Sequence, residues 1–419
     1  MNIAMFSVHT CPLSALGGKE TGGMNVYVRE LARELAARGH CVDIYTRSQD
    51  AHVPHEIPGL EIGARVFHIP AGPEEPYNKH RLFNYLPDFV RGVKMVMEQD
   101  GLRYDVYHAH YWLSGWVARE LQKTHPAPIV QMFHTLGAMK NLVARRNGDD
   151  SETERRIEIE RQMMIYADRI VASTPRDCQQ MVELYDADPE KIAIIPPGVD
   201  LNLFRPIDQD DARKHIGMLR DEHYSVLFVG RIDPVKGIDI WFRAMALVVE
   251  ENPELRGHTC VCLIGGDVDE ESSQDAELVR LQALKDELGI SDMVTFLGRR
   301  AQDVLPYFYA AADIVVMPSL YESFGMAALE AMACGTPVVA SDVGGLSFVV
   351  RNGETGFLVP DRDPHALAAQ LSQLLQDAKL RQQLGKRGAE VAQEYSWTRI
   401  ADQMQDLYTQ VNKKIECLG

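Results

Sequence analysis

Residues 16–40 read LGGKETGGMNVYVRELARELAARGH, two pairs of glycines followed by a helical pattern. From Met24 onward, Met24, Val28, Leu31 and Leu35 recur at helical spacing, and Arg29, Glu30, Arg33 and Glu34 supply a polar face. Just upstream, NIAMFSV (2–8) is the short apolar run of a buried strand. Strand, glycine-rich loop and helix in that order aim bare backbone N–H groups and the positive end of the helix dipole above the loop. The usual occupant of that position is a phosphate. A P-loop is excluded, because Gly23 and Met24 stand where Lys and Ser or Thr belong. The loop is also too long for the tight Gly-x-Gly-x-x-Gly turn of a dinucleotide fingerprint. Taken alone, it equally suits an ordinary flexible βα connection.

The same grammar continues outward. VDIYTR (42–47), VFHIP (66–70), YDVYHAH (104–110), PIVQMFH (128–134), RIVAS (169–173) and KIAIIPPGVD (191–200) alternate with helical patterns, as in a parallel, doubly wound sheet. It restarts at SVLFVG (225–230) and runs through TCVCLIG (259–265), MVTFLG (293–298), DIVVMPS (313–319), PVVAS (337–341) and GFLVP (356–360). Two Rossmann-like α/β domains are therefore predicted, 1–205 and 206–395, with the boundary near Pro206. A length of 419 residues suits two such cores. A long helix over 396–419 is expected to pack back on the first domain. In open α/β sheets ligands bind outside the C-terminal strand ends, so two such sheets are expected to face each other across a cleft.

Composition narrows the partners. No apolar run approaches the roughly 20 residues of a membrane span, and the first residues lack a signal pattern, so a cytoplasmic location is expected. Cys11, Cys41, Cys178, Cys260, Cys262, Cys334 and Cys417 are scattered, as buried reduced thiols would be. Cys260 and Cys262 alternate on a strand with no second pair at ligand spacing, and His108 and His110 lack a third ligand nearby, so no metal site is predicted. The net charge of −17 argues against nucleic acid or stable association with an anionic membrane. Against that balance, Arg145, Arg146, Arg155, Arg156 and Arg161 form a local basic cluster.

Two segments of the second domain carry chemistry. FVGRIDPVKG (228–237) places Arg231 and Lys236 on a loop leading into a helix, a site for a pyrophosphate and for charge that develops on a departing phosphate. PSLYESFGMAALEAMACGTPVVASDVGG (318–345) carries Glu322 in a loop and Glu330 within an apolar helix. Carboxylates bridge neighbouring sugar hydroxyls well, and a lone charge in so apolar a helix needs a ligand or a fixed partner.

Together these segments resemble the retaining nucleotide-sugar glycosyltransferases of the GT-B fold (glycosyl transferase group 1), over nearly the whole chain. SVHTCPL (7–13), GGMNVYVRELARELAARGH (22–40), HAHYWLSG (108–115), FHTLGAMKN (133–141) and YDADPEKIAIIPPGVDLNLFRP (185–206) are most similar to the inositol-phosphate N-acetylglucosaminyltransferases of mycothiol synthesis. Bacterial sucrose-phosphate synthases are close behind, through YLPDFV (85–90) and YWLSGWV (111–117). The resemblance implies that Gly22 and Gly23 lie against the donor pyrophosphate, with Gly230, Arg231 and Lys236 opposite. Glu322 would orient the donor sugar, aided by Ser323 and by backbone N–H groups of Phe324, Gly325 and Met326. Glu330 would hold the ribose, Arg299 or Arg300 would border the nucleobase, and His134, at a strand end, would stand beside the donor sugar. Asn25, Lys79, Tyr111, Thr135 and Arg155, or Arg156 in place of the last, would hold the acceptor's phosphate.

The family's mechanism has no covalent intermediate, so Arg231, Lys236, Glu322 and His134 would act by orientation and by electrostatic help to the leaving diphosphate. Partners implied are a nucleotide-sugar donor, a UDP-sugar first, and a small phosphorylated sugar or polyol. Inositol 1-phosphate with UDP-N-acetylglucosamine leads, and fructose 6-phosphate with UDP- or ADP-glucose is the alternative. Met24 and Glu-Ser-Phe-Gly (322–325) stand where sucrose-phosphate synthases typically carry Gln and Glu-Pro-Phe-Gly, which leans toward the inositol-phosphate group. A sugar-nucleotide epimerase, a non-catalytic binder and a transferase with a lipid-linked acceptor are rival readings. No fixed cofactor is implied, although Mg can accompany the nucleotide, and a homodimer is compatible with the sequence.

Overall fold

The computed structural model describes all residues except 15–20, 61–62, 79–80, 148–151, 219–222, 267–274 and 417–419, and only the backbone of 60, 145–147 and 414–416. Two compact units emerge. The first holds Met1–Ser14, Gly23–Pro197 and the stretch from Trp397 onward, and the second holds Gly198–Ser396 together with Thr21 and Gly22. The chain thus changes unit at Pro197, upstream of the Pro206 expected from the turn signal. The reason is local, because Val199 donates its N–H to the Tyr395 carbonyl at 2.8 Å and Phe204 is buried in the second unit's core.

In the first unit the strands are β1 (Asn2–Phe6), β2 (Cys41–Arg47), β3 (Glu56–Leu60), β4 (Ala64–Ile69), β5 (Val106–His110), β6 (Ile129–Met132), β7 (Arg169–Ala172) and β8 (Ile192–Ile194). They form one sheet in the order β3-β4-β2-β1-β5-β6-β7-β8, parallel except for the antiparallel edge pair β3 and β4. Central β1 pairs with β2 on one side and β5 on the other, Ile3 opposite both Val42 and Val106. Ile3, Ala4, Met5 and Phe6 are wholly buried, as expected of a strand covered by helices on both faces. Each large apolar side chain so buried contributes about 1.5–3 kcal/mol.

The second unit repeats the plan with β9 (Tyr224–Val229), β10 (Thr259–Ile264), β11 (Val294–Gly298), β12 (Ile314–Met317), β13 (Val338–Ser341) and β14 (Gly356–Val359). Their order is β11-β10-β9-β12-β13-β14, all parallel. Chain order reverses beside β1 in one sheet and beside β9 in the other. The crevice outside the carboxyl ends of the strands at each reversal is where such sheets take ligands.

The glycine loop leads into the helix Gly23–Ala37, with no acidic residue in its first turn to oppose an anion. Glu30 departs from the polar face read from the pattern. It is 6% exposed and held at 3.0 Å by each of Arg29 and Arg33. The final helix, Trp397–Glu416, packs on the first unit. Trp397 meets the Tyr27 ring edge-on, and Arg38 reaches the Thr398 carbonyl at 2.6 Å. No described helix is long and apolar enough to cross a membrane.

Candidate active site

Within the first unit, the loops after β1, β5 and β6 meet. Asn25, in the first turn of its helix, is 1% exposed, and its side-chain N–H donates to Thr10 Oγ1 at 2.8 Å and the Cys11 carbonyl at 2.7 Å. It therefore pins the loop after β1. Tyr111 directly follows β5 at φ 75°, and its ring packs 4.4 Å from that of His9. Burial pushes its phenol up to about 12, so it is a neutral hydrogen-bonding group near neutral pH.

Arg156 occupies the floor beneath these loops. Its side chain has no solvent exposure and donates to Glu160 (2.7 Å), Glu152 (2.7 Å) and both the carbonyl (2.8 Å) and hydroxyl (3.1 Å) of Thr135, while its guanidinium covers the Tyr111 ring. Glu160, equally buried, also accepts from the Gly137 N–H at 2.9 Å and from the Tyr185 hydroxyl. The Arg156 donors named for the acceptor phosphate as an alternative to Arg155 are thus engaged by the framework. Arg155 is exposed, with its guanidinium 5.1 Å from the Phe83 ring. Lys79 lies outside the described residues.

His134 does not end a strand. β6 stops at Met132, and the Thr135 N–H bonds the Phe133 carbonyl at 2.7 Å, closing a three-residue turn with His134 at φ 59°. A side chain in this region costs about 1–3 kcal/mol and persists only where its surroundings hold it. His134 Nε2 bonds His110 Nδ1 at 3.0 Å, and burial drives the His134 pKa down to about 3. The His108 and His110 rings lie 4.1 Å apart inside the sheet, tilted by 46° to each other. Among the described residues no three His, Cys, Asp or Glu side chains gather as a metal site, and the Cys260 and Cys262 thiols, 2.8 Å apart, have only each other as ligand-type neighbours.

Within the second unit, Lys236 and Glu322 meet at the switch point. Lys236 follows β9 and Glu322 follows β12, and their Nζ and Oε2 are 2.5 Å apart with 14% and 16% side-chain exposure. Close backbone packing sets this pair. Gly237, at φ 63°, has its Cα where an added Cβ would come 2.1 Å from the Pro318 carbonyl, and the Leu320 N–H bonds the Val235 carbonyl at 2.8 Å. A Cβ on Gly344 would come 1.9 Å from the Glu322 carbonyl, which itself accepts from the Gly345 N–H at 2.8 Å. On the same loop as Lys236, Arg231 follows Gly230 and lies 3.9 Å from Asp233, whose carboxylate caps the Val235 N–H.

Ser323 and Phe324 lead to Gly325 at φ 104°, which opens the helix Met326–Ala333. On that helix Glu330 is 9% exposed and accepts from the Tyr309 hydroxyl at 2.9 Å through Oε2. Among the described residues no hydrogen bond to its other oxygen is seen, and burial raises its pKa to about 7. Arg299 and Arg300, both exposed, follow β11. The arrangement thus offers a cation and carboxylate together, with a helix N-terminus beside them: chemistry suited to a diphosphate bearing a hydroxyl-rich group.

Residues 209–391 match the family described as Glycosyl transferases group 1, and residues 21–203 match Glycosyltransferase Family 4. The chain is 42% identical to the D-inositol 3-phosphate glycosyltransferase of Thermomonospora curvata, over 97% of this chain and 95% of that one. The chain belongs to the group 1 glycosyltransferases. This nucleotide-sugar-dependent glycosyltransferase is also 41% identical to the D-inositol 3-phosphate glycosyltransferase of Corynebacterium diphtheriae, over 97% of its own length and 94% of the relative's. Among solved structures, the sucrose-phosphate synthase of Thermosynechococcus elongatus superposes with a TM-score of 0.89 at 37% identity, covering 98% of each chain. The glycosyltransferase therefore has the GT-B fold anticipated from its motifs.

Sequence reading missed the groups that hold the named ones. Tyr309, beneath Glu330, stands 21 positions away on another helix, and no local pattern links them. The Arg156, Glu160 spacing of four was a usable signal, since side chains so spaced share a helix face, whereas Glu152 reaches Arg156 from before the helix start.

Proposed function

We propose that the enzyme moves a hexosyl group, N-acetylglucosaminyl first, from a UDP-sugar to an inositol phosphate with retention of configuration. The observation that carries this reading is the 42% identity, over 97% of the chain, to a protein named D-inositol 3-phosphate glycosyltransferase. The acceptor hydroxyl forms its bond to the anomeric carbon on the face from which the diphosphate oxygen departs, and that oxygen takes the acceptor's proton. Lys236 and Arg231, with the N–H groups that open the helix Met326–Ala333, stabilise the diphosphate's growing charge. Glu322 orients the donor's hydroxyls, Glu330 holds the ribose, Arg299 or Arg300 borders the base, and the Gly22–Gly23 turn accepts the pyrophosphate. On the acceptor side Tyr111 and Thr135 shape the pocket over the Arg156 floor, and exposed Arg155 offsets the charge of the phosphate monoester. Such small phosphorylated substrates suit a cytoplasmic enzyme.

A second reading, sucrose-phosphate synthesis from fructose 6-phosphate, is favoured by the 0.89 TM-score against the Thermosynechococcus enzyme. Nucleotide release from UDP-N-acetylglucosamine, UDP-glucose and ADP-glucose, each with inositol phosphate or fructose 6-phosphate, separates the two. Release that requires inositol phosphate supports the first reading. Release with fructose 6-phosphate alone replaces it with the second, and no stimulation by either removes the phosphate-acceptor assignment.

A further inference from the structure

Three histidines and two tyrosines of the first unit form a largely buried chain, whose end, His134, is the residue that the family resemblance sets beside the donor sugar. The Tyr408 hydroxyl, on the final helix, bonds His108 Nδ1 at 2.7 Å. The His108 ring lies 4.1 Å from that of His110, whose Nδ1 bonds Nε2 of His134 at 3.0 Å. The Tyr27 ring packs edge-on against His110 and His134, with centroids 5.6 and 5.3 Å away. His108 and His110 are wholly buried, and among the described residues Nε2 of His110 has no hydrogen-bond partner. His134 is partly exposed, and no hydrogen bond engages its Nδ1.

Two strained turns are joined by this chain. Tyr111, directly after His110, and His134 both have positive φ, at 75° and 59°. Such conformations cluster where a structure holds a group ready for use. The hydrogen bond between His110 and His134 therefore ties together the turns that end two neighbouring strands.

We propose that His110 is a positioning residue that fixes the orientation and tautomer of His134, so that His134 presents Nδ1–H to an oxygen of the transferred sugar. This rests on the reading of His134 as a contact of the donor sugar. A neutral imidazole carries one N–H, so one ring of the pair donates and the other accepts. If His134 donated, His110 would carry its proton on Nε2, a buried N–H with no acceptor. If His110 donates, that position holds only a lone pair. Orphaned buried N–H groups are the rarer of the two, so Nδ1–H of His110 donates to Nε2 of His134. The remaining proton of His134 is then on Nδ1. Burial keeps both rings neutral, which suits a hydrogen-bond donor rather than a proton carrier.

Full-length enzyme labelled with 15N-histidine tests this by two-bond proton–nitrogen correlation spectra at about pH 7, with His134 assigned by its loss in His134→Asn. The expected spectrum shows neutral His134 protonated on Nδ1. His110→Phe is expected to mix the two His134 tautomers and lower kcat by about tenfold to hundredfold, with a smaller change in donor KM. His110→Asn, which keeps an amide donor near the Nδ1 position, restores most of the rate. A wild-type His134 protonated on Nε2 overturns the proposal and needs no folded variant. Normal kinetics in His110→Phe alongside a slow His134→Ala overturns it too, with the donor-contact reading intact. An unimpaired His134→Ala removes that underlying reading, and the proposal falls with it.

Discussion

Adjacent arginines with opposite tasks give the sharpest test of the site. Arg156→Met keeps much of the side-chain volume and removes a guanidinium that is wholly buried and bonded to Glu160, Glu152 and Thr135. Glu160 then keeps its Gly137 and Tyr185 donors but loses its cation, inside a site where it too has no exposure. Removing one partner of a buried pair costs about 3–5 kcal/mol, because the other charge is left uncompensated. With m-values of about 2–3 kcal/mol per molar urea, that corresponds to a midpoint lowered by roughly 1–2.5 M. Trp112, Trp116 and Trp397 all lie in the first unit, so urea titration followed by tryptophan fluorescence reports chiefly on that unit. Arg155→Gln, one residue away and exposed, is expected to leave the unfolding free energy within about 0.5 kcal/mol of wild type and to raise the acceptor KM about tenfold, as for loss of one charge-assisted bond. A midpoint unchanged in Arg156→Met refutes the framework role. An acceptor KM raised in Arg156→Met but not in Arg155→Gln exchanges the two assignments.

Other expectations follow from the second unit. Lys236→Ala should lower kcat by about 10²–10³-fold with a smaller loss of donor affinity, measured by steady-state kinetics and calorimetry. Unchanged turnover would remove its role in stabilising the leaving group. Glu330 has its pKa raised by burial to about 7, so the folded unit binds a proton more tightly than the unfolded chain between about pH 4.5 and 7. Its stabilising contribution is full below that window and is lost as pH rises through it. Glu330→Gln should flatten this part of the stability profile, and urea midpoints at pH 5 and pH 8 that shift as in wild type would contradict the assignment. Gly237→Ala should lower the second unit's melting temperature, because the left-handed backbone alone costs about 1–2 kcal/mol and the new Cβ meets the Pro318 carbonyl at 2.1 Å. A calorimetric trace that matches wild type would show that the loop yields freely.

The alternating grammar of both sheets was legible because central parallel strands are apolar on both faces and stand out as short runs between helical patterns. β3 was not, since EIPGL places Pro58 and Gly59 inside an edge strand that is largely exposed. The glycine loop, Lys236 and Glu322 could be named from motif and spacing, but the approach of Lys236 to Glu322 depends on Gly237 and Gly344, whose close approaches to backbone are tertiary facts. Glu30 looked solvated because its helix neighbours are charged. Those same arginines are what make its burial tolerable. The left-handed turn at His134 had no signal at all, since its sequence carries no glycine at that position.

The return of the final helix to the first unit also sets an order of assembly on the ribosome. Strands β1 to β8 are all synthesised before Pro197, yet the surface that Trp397 and Tyr408 cover stays open until the last residues emerge. At roughly 5–20 residues per second, the intervening second unit of about 200 residues takes some 10–40 s to translate. Throughout that interval the nascent first half presents the faces of Tyr27 and His108 to the cell without their lid. A chain cut short just after Ser396 would carry every strand of both sheets and still lack the piece that covers Tyr27 and His108.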